Sequence, residues 1–282
     1  MATVFPKYDL HSHTTASDGS LTPAELVSRA QDRSVKILSI TDHDTLAGVK
    51  QLIAEGLPVD IRLIPGAELT VNWSGRMIHI IGLNMNPDLP EVHYYLSQLE
   101  TLRNTRAEKI AARLIKAGVP DDHFLEQVKK EAGTGSIGRP HFAKVLVKLG
   151  VVNTEQAAFK DYLGAGKVGD VKMQWPDLQE AVDVIRLAGG YSVIAHPTKY
   201  KMTFTKIRTL VADFVAAGGS AMEVSYSGIT PNHQVDLERL AAQAGLMVSA
   251  GSDFHSPAQT WTEVGKFPPV KDMSRHVLTQ LL

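Results

Sequence analysis

A chain of 282 residues with 44% apolar and 21% charged residues has the size and balance of one large α/β domain, or of a domain carrying an insert. Its formal net charge of −1 creates no global field toward nucleic acid or membranes. The absence of cysteine excludes disulfides, thiolate nucleophiles and Cys-bound metals, so any metal must be held by His, Asp and Glu.

In chain order, Tyr8–His13 reads as a short strand. Thr22–Glu25 (TPAE) is a capping box with Pro at the first helical position, so a helix starts there. Val35–His43 is an apolar, β-branched run that suits a buried parallel strand. A helix over Leu46–Glu55 follows, closed by Gly56, with Asp44 suited to cap it. Ile61–Leu69 and Arg76–Leu83 are strands joined by turn residues Asn72–Gly75 (NWSG).

From Pro90 to Lys172 the alternation stops and only helices are predicted: Glu91–Ala117, Asp121–Ala132, His141–Leu149 and Thr154–Leu163. From Glu100 to Lys172 this stretch carries a net charge of +4, against −5 for the remainder. A basic insert on an acid-rich body suggests a lid over an anionic ligand. Alternation then resumes with a helix in WPDLQEAVDVIRLAGG, a strand Tyr191–Pro197, a helix Phe204–Ala217 and a strand Ala221–Ser227. A helix Asn232–Ala244, a strand Leu246–Asp253 and a closing helix Ser274–Leu282 complete the chain. Seven strands alternating with helices predict a parallel α/β fold, an irregular barrel or an open doubly wound sheet. The expected organisation is a barrel from residues 1–89 and 173–282, with 90–172 as the helical insert. The N-terminus lacks a leader-like apolar region, and no apolar run approaches about 18 residues. A cytoplasmic protein without a membrane contact or an obligate protein partner is expected.

Six of the eleven histidines fall at or near predicted strand ends: His11, His13, His43, His79, His196 and His255. Asp18, Glu68 and Asp253 accompany them. Residues i and i+2 of a strand share a face, so His11 and His13 can converge. Parallel strands open their C-terminal ends on one face, where sites assemble. His79 is the exception, lying within its strand. Nine ligands exceed one metal's needs and suit two or three divalent ions, with Glu68 as the bridging carboxylate. Mixed imidazole and carboxylate donors favour manganese, zinc or iron over calcium or magnesium. Within the insert, Arg103 and Arg106 share a helix face, and Arg139 opens a helix whose free N–H groups attract phosphate. Asn104 and His141 are adjacent candidates for the same anion.

The segments HSHTTASDG, TDHDT, PGAEL, AHP and GSDFH, in this order, resemble the signatures of the PHP (polymerase and histidinol phosphatase) family of metal-dependent phosphoesterases. The resemblance spans nearly the whole chain. It implies a distorted (β/α)7 barrel of TIM-like type with up to three metals. One ion would be held by His11, His13, Glu68 and Asp253, a second by Glu68, His79 and His196, and a third by Asp18, His43 and His255. Some relatives have His where this chain has Asp18; the added oxygen favours manganese. LRNTRAEKIAARL and SIGRPHFAKVL resemble the stand-alone branch that acts on nucleoside 3′,5′-bisphosphates, some members of which degrade short RNA from the 5′ end.

The resemblance implies removal of the 3′-phosphate from a small nucleotide by a hydroxide bridging the metals. In that scheme His196 or His255 protonates the leaving oxygen and Asp253 accepts the water proton. Arg103, Arg106 and Arg139 would clamp the second phosphate. The alternatives are a 5′→3′ exoribonuclease acting on short single-stranded RNA with the same metals, a histidinol-phosphate phosphatase, or an inactive metal-binding module serving a partner.

Overall fold

The computed structural model describes residues 5–56, 58–119 and 123–282. Seven strands form one sheet in sequence order: β1 (Tyr8–Asp9), β2 (Ile37–Ile40), β3 (Arg62–Trp73), β4 (Arg76–Leu83), β5 (Tyr191–Ile194), β6 (Ala221–Ser225) and β7 (Met247–Ala250). The ends meet through a parallel bridge between Ser12 and Phe254. The Asp253 N–H donates to the His11 carbonyl and the His13 N–H to the Phe254 carbonyl, which nearly closes a barrel. Closure brings the His-x-His segment beside the segment that follows β7.

The sheet departs from the all-parallel expectation. β4 runs antiparallel to both β3 and β5. The cause is local: Ser74 (φ 51°) and Gly75 (φ 74°) make a two-residue turn between Trp73 and Arg76, which can only return the chain antiparallel. The start of β4 therefore lies at the face where the other strands end. That reversal is why His79, early in its strand, reaches the same face as the strand-end histidines.

The barrel interior is layered. Leu10, Ile37, Ile64, Ile81, Val193 and Ala221 pack into an apolar floor, plugged by Val277, Leu278 and Leu281. Above this floor the same inward face carries Glu68, four residues past Ile64, His79, two before Ile81 on the reversed strand, and Glu223, two past Ala221. The plug corrects the expectation of a continuous helix over Ser274–Leu282. A 3₁₀ turn at Met273–Arg275 gives way to His276, which bridges to Val248, and only Leu278–Leu281 (α10) is helical. The Val277 N–H donates to the Val248 carbonyl at 2.9 Å, and this extension of the sheet interrupts the helix.

Outside the sheet pack α1 (Pro23–Asp32), α2 (Ala47–Glu55), α7 (Leu178–Leu187), α8 (Phe204–Ala216) and α9 (Pro231–Gln243). α1 carries the predicted capping box: the Thr22 hydroxyl accepts from the Glu25 N–H, and the Glu25 carboxylate from the Thr22 N–H. Asp44 does not cap α2; Leu46 is the cap position, without a side-chain bond.

Between β4 and α7 lie α3 (Pro90–Lys116), α4 (Phe124–Ala132), α5 (Arg139–Lys148) and α6 (Glu155–Ala158), then a π-helical turn over Phe159–Leu163. The predicted helix start at Asp121 lies outside the described residues. One helix serves two cores. Val92, Tyr95 and Leu99 of α3 pack on the barrel, whereas Ala107, Ile110 and Leu114 join Phe124, Phe142 and Leu163 in a separate apolar core. The Ser136 N–H donates to the Ala16 carbonyl at 2.8 Å, and a Cβ on Gly135 would lie 2.5 Å from the Thr15 carbonyl oxygen. The α4–α5 connection thus lies directly on the loop after His13. Among the described residues, no helix is long and apolar enough to cross a membrane.

Candidate metal centre

All nine predicted ligands converge on one end of the barrel. Glu68, on the inward face of β3, is at their centre. Its Oε1 lies 3.0 Å from His79 Nδ1 and 2.9 Å from His196 Nε2. Its Oε2 lies 3.0 Å from His43 Nδ1, 3.4 Å from His13 Nε2 and 3.5 Å from His11 Nε2. Register explains the first pair: His79 faces Thr70, so Glu68 is its diagonal neighbour on the same face. Asp253 Oδ1 is 3.3 Å from both His11 Nε2 and His13 Nε2. Asp18 lies 3.4 Å from His255 Nε2 and 3.8 Å from His43 Nε2.

The donor atoms fall into four overlapping groups, each within 4.8 Å: His13, Asp18, His43 and His255; His11, His13 and Asp253; His11, Glu68 and His196; and His43, Glu68 and His79. The overlap differs from the grouping that the resemblance implies. His43 turns Nδ1 toward Glu68 and Nε2 toward Asp18, so it borders two groups, and His13 joins the Asp18 group.

Hydrogen bonds at the back of the rings orient their lone pairs. Glu223 Oε1 lies 3.0 Å from His11 Nδ1, and the Asp253 carbonyl lies 3.0 Å from His255 Nδ1. In each case the ring is anchored through Nδ1, and Nε2 faces the cluster. His11 Nε2 and His13 Nε2 then stand 3.1 Å apart, with at most one proton able to sit between them. Glu68 Oε2, His43 Nδ1 and His196 Nδ1 are buried without a hydrogen-bond partner. Orphaned donors of this chemistry, all nitrogen and carboxylate oxygen, fit divalent cations.

The charges agree. Burial works against ionisation of Glu68, Asp18 and Asp253, yet the surrounding imidazoles hold all three well below the usual carboxylate range, joined at Asp253 by Lys199. Burial and the neighbouring His255 lower His13. His255 is pushed up to about 9 by Asp18 and Asp253 despite its burial.

The backbone around the cluster is constrained. His196 (φ 30°), Asp253 (φ 53°) and Asp44 (φ 55°) all occupy the left-handed region without being glycine, a cost that surrounding bonds must hold in place. Asp42 supplies some of them. Its buried carboxylate accepts the Thr14 N–H at 2.7 Å and the Ser17 hydroxyl at 2.6 Å, pinning the loop after His13.

The basic candidates separate. Arg103 is buried, and three of its donors are spent: Nε on Asp44 at 2.5 Å, Nη2 on the Thr70 hydroxyl at 3.1 Å and Nη1 on the Ile137 carbonyl at 3.2 Å. It holds α3 against β3 and lines, at its edge, a cavity separate from the cleft at the cluster. Asn104 is exposed on a different cavity, shared with Asp44, Lys50 and His93. His141 is buried, and its Nδ1 accepts the Gly138 N–H at 2.9 Å, completing the start of α5. Arg106 and Arg139 are half-buried, bond only backbone carbonyls of Val171 and Leu163, and make no ion pair among the described residues. Burial and the neighbouring guanidiniums of Arg139 and Arg103 lower Arg106 to about 10.

Two residues escaped sequence reasoning. Glu223 underlies the cluster, its Oε2 accepting the His196 N–H at 2.7 Å. Lys199 pairs with Asp253 Oδ2 at 2.5 Å. Glu223 had a signal, a lone carboxylate in the fully buried β6; Lys199, in the 3₁₀ turn Pro197–Tyr200 after His196, had none. A cleft of about 590 Å³ leads out from Asp18, Asp253 and His255, past Lys199, to the Pro140 end of α5.

Comparison with known proteins adds the lineage. The PHP domain family matches residues 9–134. A Haemophilus influenzae protein named "5'-3' exoribonuclease" is 44% identical over 260 residues, covering 92% of this chain and 93% of that one. A Chromobacterium violaceum "3',5'-nucleoside bisphosphate phosphatase" is 37% identical over 277 residues, covering 97% and 95%. A solved structure from Chromobacterium violaceum, described as an amidohydrolase with bound SO4 and no metal, superposes with a TM-score of 0.89 at 35% identity, covering 98% of this chain and 95% of that one. With relatives this similar over almost its entire length, the chain belongs to the PHP domain family of metal-dependent phosphoesterases.

Proposed function

We propose that the protein hydrolyses the phosphoester at the 3′-oxygen of nucleotides that carry a 5′-phosphate, with nucleoside 3′,5′-bisphosphates as its small substrates. The observation that carries this reading is the pair Arg106 and Arg139, guanidiniums without ion pairs among the described residues, on the insert whose α5 borders the same cleft as Asp18, Asp253 and His255. Two crowded cations are stabilised by an anion, and arginine grips phosphate bidentately. The N-terminus of α5, where Arg139 lies, adds backbone N–H groups. A 5′-phosphate held there leaves the 3′-phosphorus to reach the histidine and carboxylate cage.

His11, His13, Asp18, His43, Glu68, His79, His196, Asp253 and His255 are the proposed ligands, for two or three divalent ions. Manganese is our first choice among manganese, zinc and iron. Such ions lower the pKa of water and polarise phosphoryl oxygens when bound. Glu68 directs one oxygen to each side of the cage and so suits a bridge. In this reading Asp253 takes a proton from water. His255, with the most exposed ring of the centre's histidines and a place on the cleft wall, gives a proton to the departing 3′-oxygen when its Nε2 is not committed to an ion; His196 is the alternative donor. Glu223 orients His11 from behind. Glu223→Gln should weaken metal affinity about 10- to 100-fold, read by chelator competition; unchanged affinity would remove Glu223 from that task.

A second reading follows from the same geometry and is favoured by the 44% identity to the exoribonuclease. If the 3′-phosphorus belongs to a phosphodiester, the same bond to the 3′-oxygen breaks. The 5′-terminal nucleotide leaves as a 5′-monophosphate, and the shortened RNA keeps a new 5′-phosphate. One site then performs both reactions. The test compares adenosine 3′,5′-bisphosphate with 3′-AMP, and a short oligoribonucleotide with and without its 5′-phosphate. Turnover should fall roughly 100-fold in both pairs when the 5′-phosphate is missing, the worth of about two charge-assisted hydrogen bonds. Equal turnover within each pair would refute the anchor, and activity confined to one pair would choose between the two substrates.

A further inference from the structure

The chain has three tryptophans, and two of them, Trp73 and Trp175, are buried at 8% and 7% exposure. Trp261 is 61% exposed. A single exposed apolar side chain is ordinary on a protein surface. The position of this one is not. Trp261 lines the cleft that begins at Asp18, Asp253 and His255. It stands on the segment that follows β7, six residues after His255. The same cleft is also lined by Pro140, Val147 and Phe159 of the insert.

The segment is fixed on both sides of the indole. Before it, the Ala258 N–H donates to the Ser256 hydroxyl and the Gln259 N–H to the Ser256 carbonyl. The Thr262 N–H closes a turn onto the Gln259 carbonyl at 3.1 Å. After it, Glu263 is paired with Arg29 and Arg33, both at 2.7 Å, and Val264 is fully buried. The ring is thus presented on a braced turn instead of a frayed loop. Leaving an indole in water forgoes the burial free energy of the largest apolar side chain, so a flat partner that covers it gains that energy on binding.

We propose that Trp261 is a nucleobase platform, on which a base of the substrate stacks while its phosphoryl group occupies the histidine and carboxylate cage at the other end of the cleft. This rests on the proposed action on nucleotides. The cleft volume of about 590 Å³ lies in the range of nucleotide-sized sites. Stacking accepts every base, because each has a π-face. The site therefore selects for the presence of a base and not for its identity. The stacked base is either that of the hydrolysed nucleotide or that of its 3′ neighbour in RNA.

The test uses the full-length metal-loaded protein and three substrates: adenosine 3′,5′-bisphosphate, its abasic sugar analogue, and a 5′-phosphorylated diribonucleotide. Trp261→Ala should lower kcat/KM roughly 10- to 100-fold on a base-bearing substrate and leave the abasic analogue within about threefold. Trp261→Phe should keep most of the wild-type value. A loss on the bisphosphate assigns the platform to the hydrolysed nucleotide, and a loss on the diribonucleotide alone assigns it to the neighbour. Equal turnover by wild type and Trp261→Ala on both, or an equal loss on the abasic analogue, overturns the proposal. If wild type hydrolyses none of the three, the proposed function fails separately. Fluorescence then decides on the platform: adenosine 3′,5′-bisphosphate should quench indole emission in wild type and not in Trp261→Phe, and absence of quenching rejects it.

Discussion

Glu68→Gln should abolish phosphoester hydrolysis while leaving the barrel folded. Glutamine has nearly the same shape, and Glu68 is fully buried on β3, so the packing around it is retained. The chemistry is not. Five imidazole nitrogens lie within 3.5 Å of the two carboxylate oxygens. The amide removes the central negative charge and turns N–H donors toward rings whose lone pairs face inward. A neutral amide is a poor ligand for two cations at once. Metal content should fall by at least one ion per chain, measured by elemental analysis. Turnover should fall roughly 1,000-fold or more, the worth of several kcal/mol of lost charge stabilisation. Circular dichroism and thermal unfolding should still show a folded protein. Full metal content with turnover near wild type would remove Glu68 from the centre.

Arg103→Met should destabilise the protein without touching the metal cage. Arg103 and Asp44 form a buried pair, and Asp44 Oδ1 also accepts the Thr70 N–H at 2.5 Å. Removing one partner leaves an uncompensated charge in the interior, a loss of about 3–5 kcal/mol. Methionine keeps much of the apolar stem beside Trp175, so the loss reports the charge rather than the packing. The urea midpoint should drop accordingly, and Asp44→Asn added to Arg103→Met should recover part of it, because the orphaned charge is then gone. A loss under about 1 kcal/mol would mean that the guanidinium is solvated and available to an anion, returning Arg103 to the substrate clamp.

These two residues illustrate how unevenly the chain could be read. Glu68 was visible because its motif, PGAEL, ends an apolar run and four further His- and Asp-bearing motifs end others. Arg103 reads from its spacing as part of an anion clamp with Arg106. Helical spacing puts the two on one face, but not which neighbour that face meets. Asp44, 59 residues away, pairs with Arg103 and leaves Arg106 and Arg139 without an ion pair among the described residues. The turn at Ser74–Gly75 is present in NWSG, yet the alternation of apolar runs carries no direction, so the general expectation of a parallel fold does not show that β4 runs against its neighbours. Glu223 stands out in AMEVS as a lone carboxylate, but that signal does not show that its partners are the ring of His11 and the backbone of His196.

The sequence by itself determined the inventory: seven apolar strand cores, the helices between them, a cysteine-free set of nitrogen and oxygen donors, and a basic helical segment. These depend on local periodicity and residue chemistry, which extend over a few neighbours and survive in one dimension. Tertiary structure decided which donor atoms face one another, which arginine is drawn into a buried pair with Asp44, and that an indole six residues past His255 lines the cleft to the cage. Those are outcomes of barrel closure, which joins Leu10–His13 to Ala250–Phe254 across some 240 residues, and no local pattern encodes a meeting over that separation.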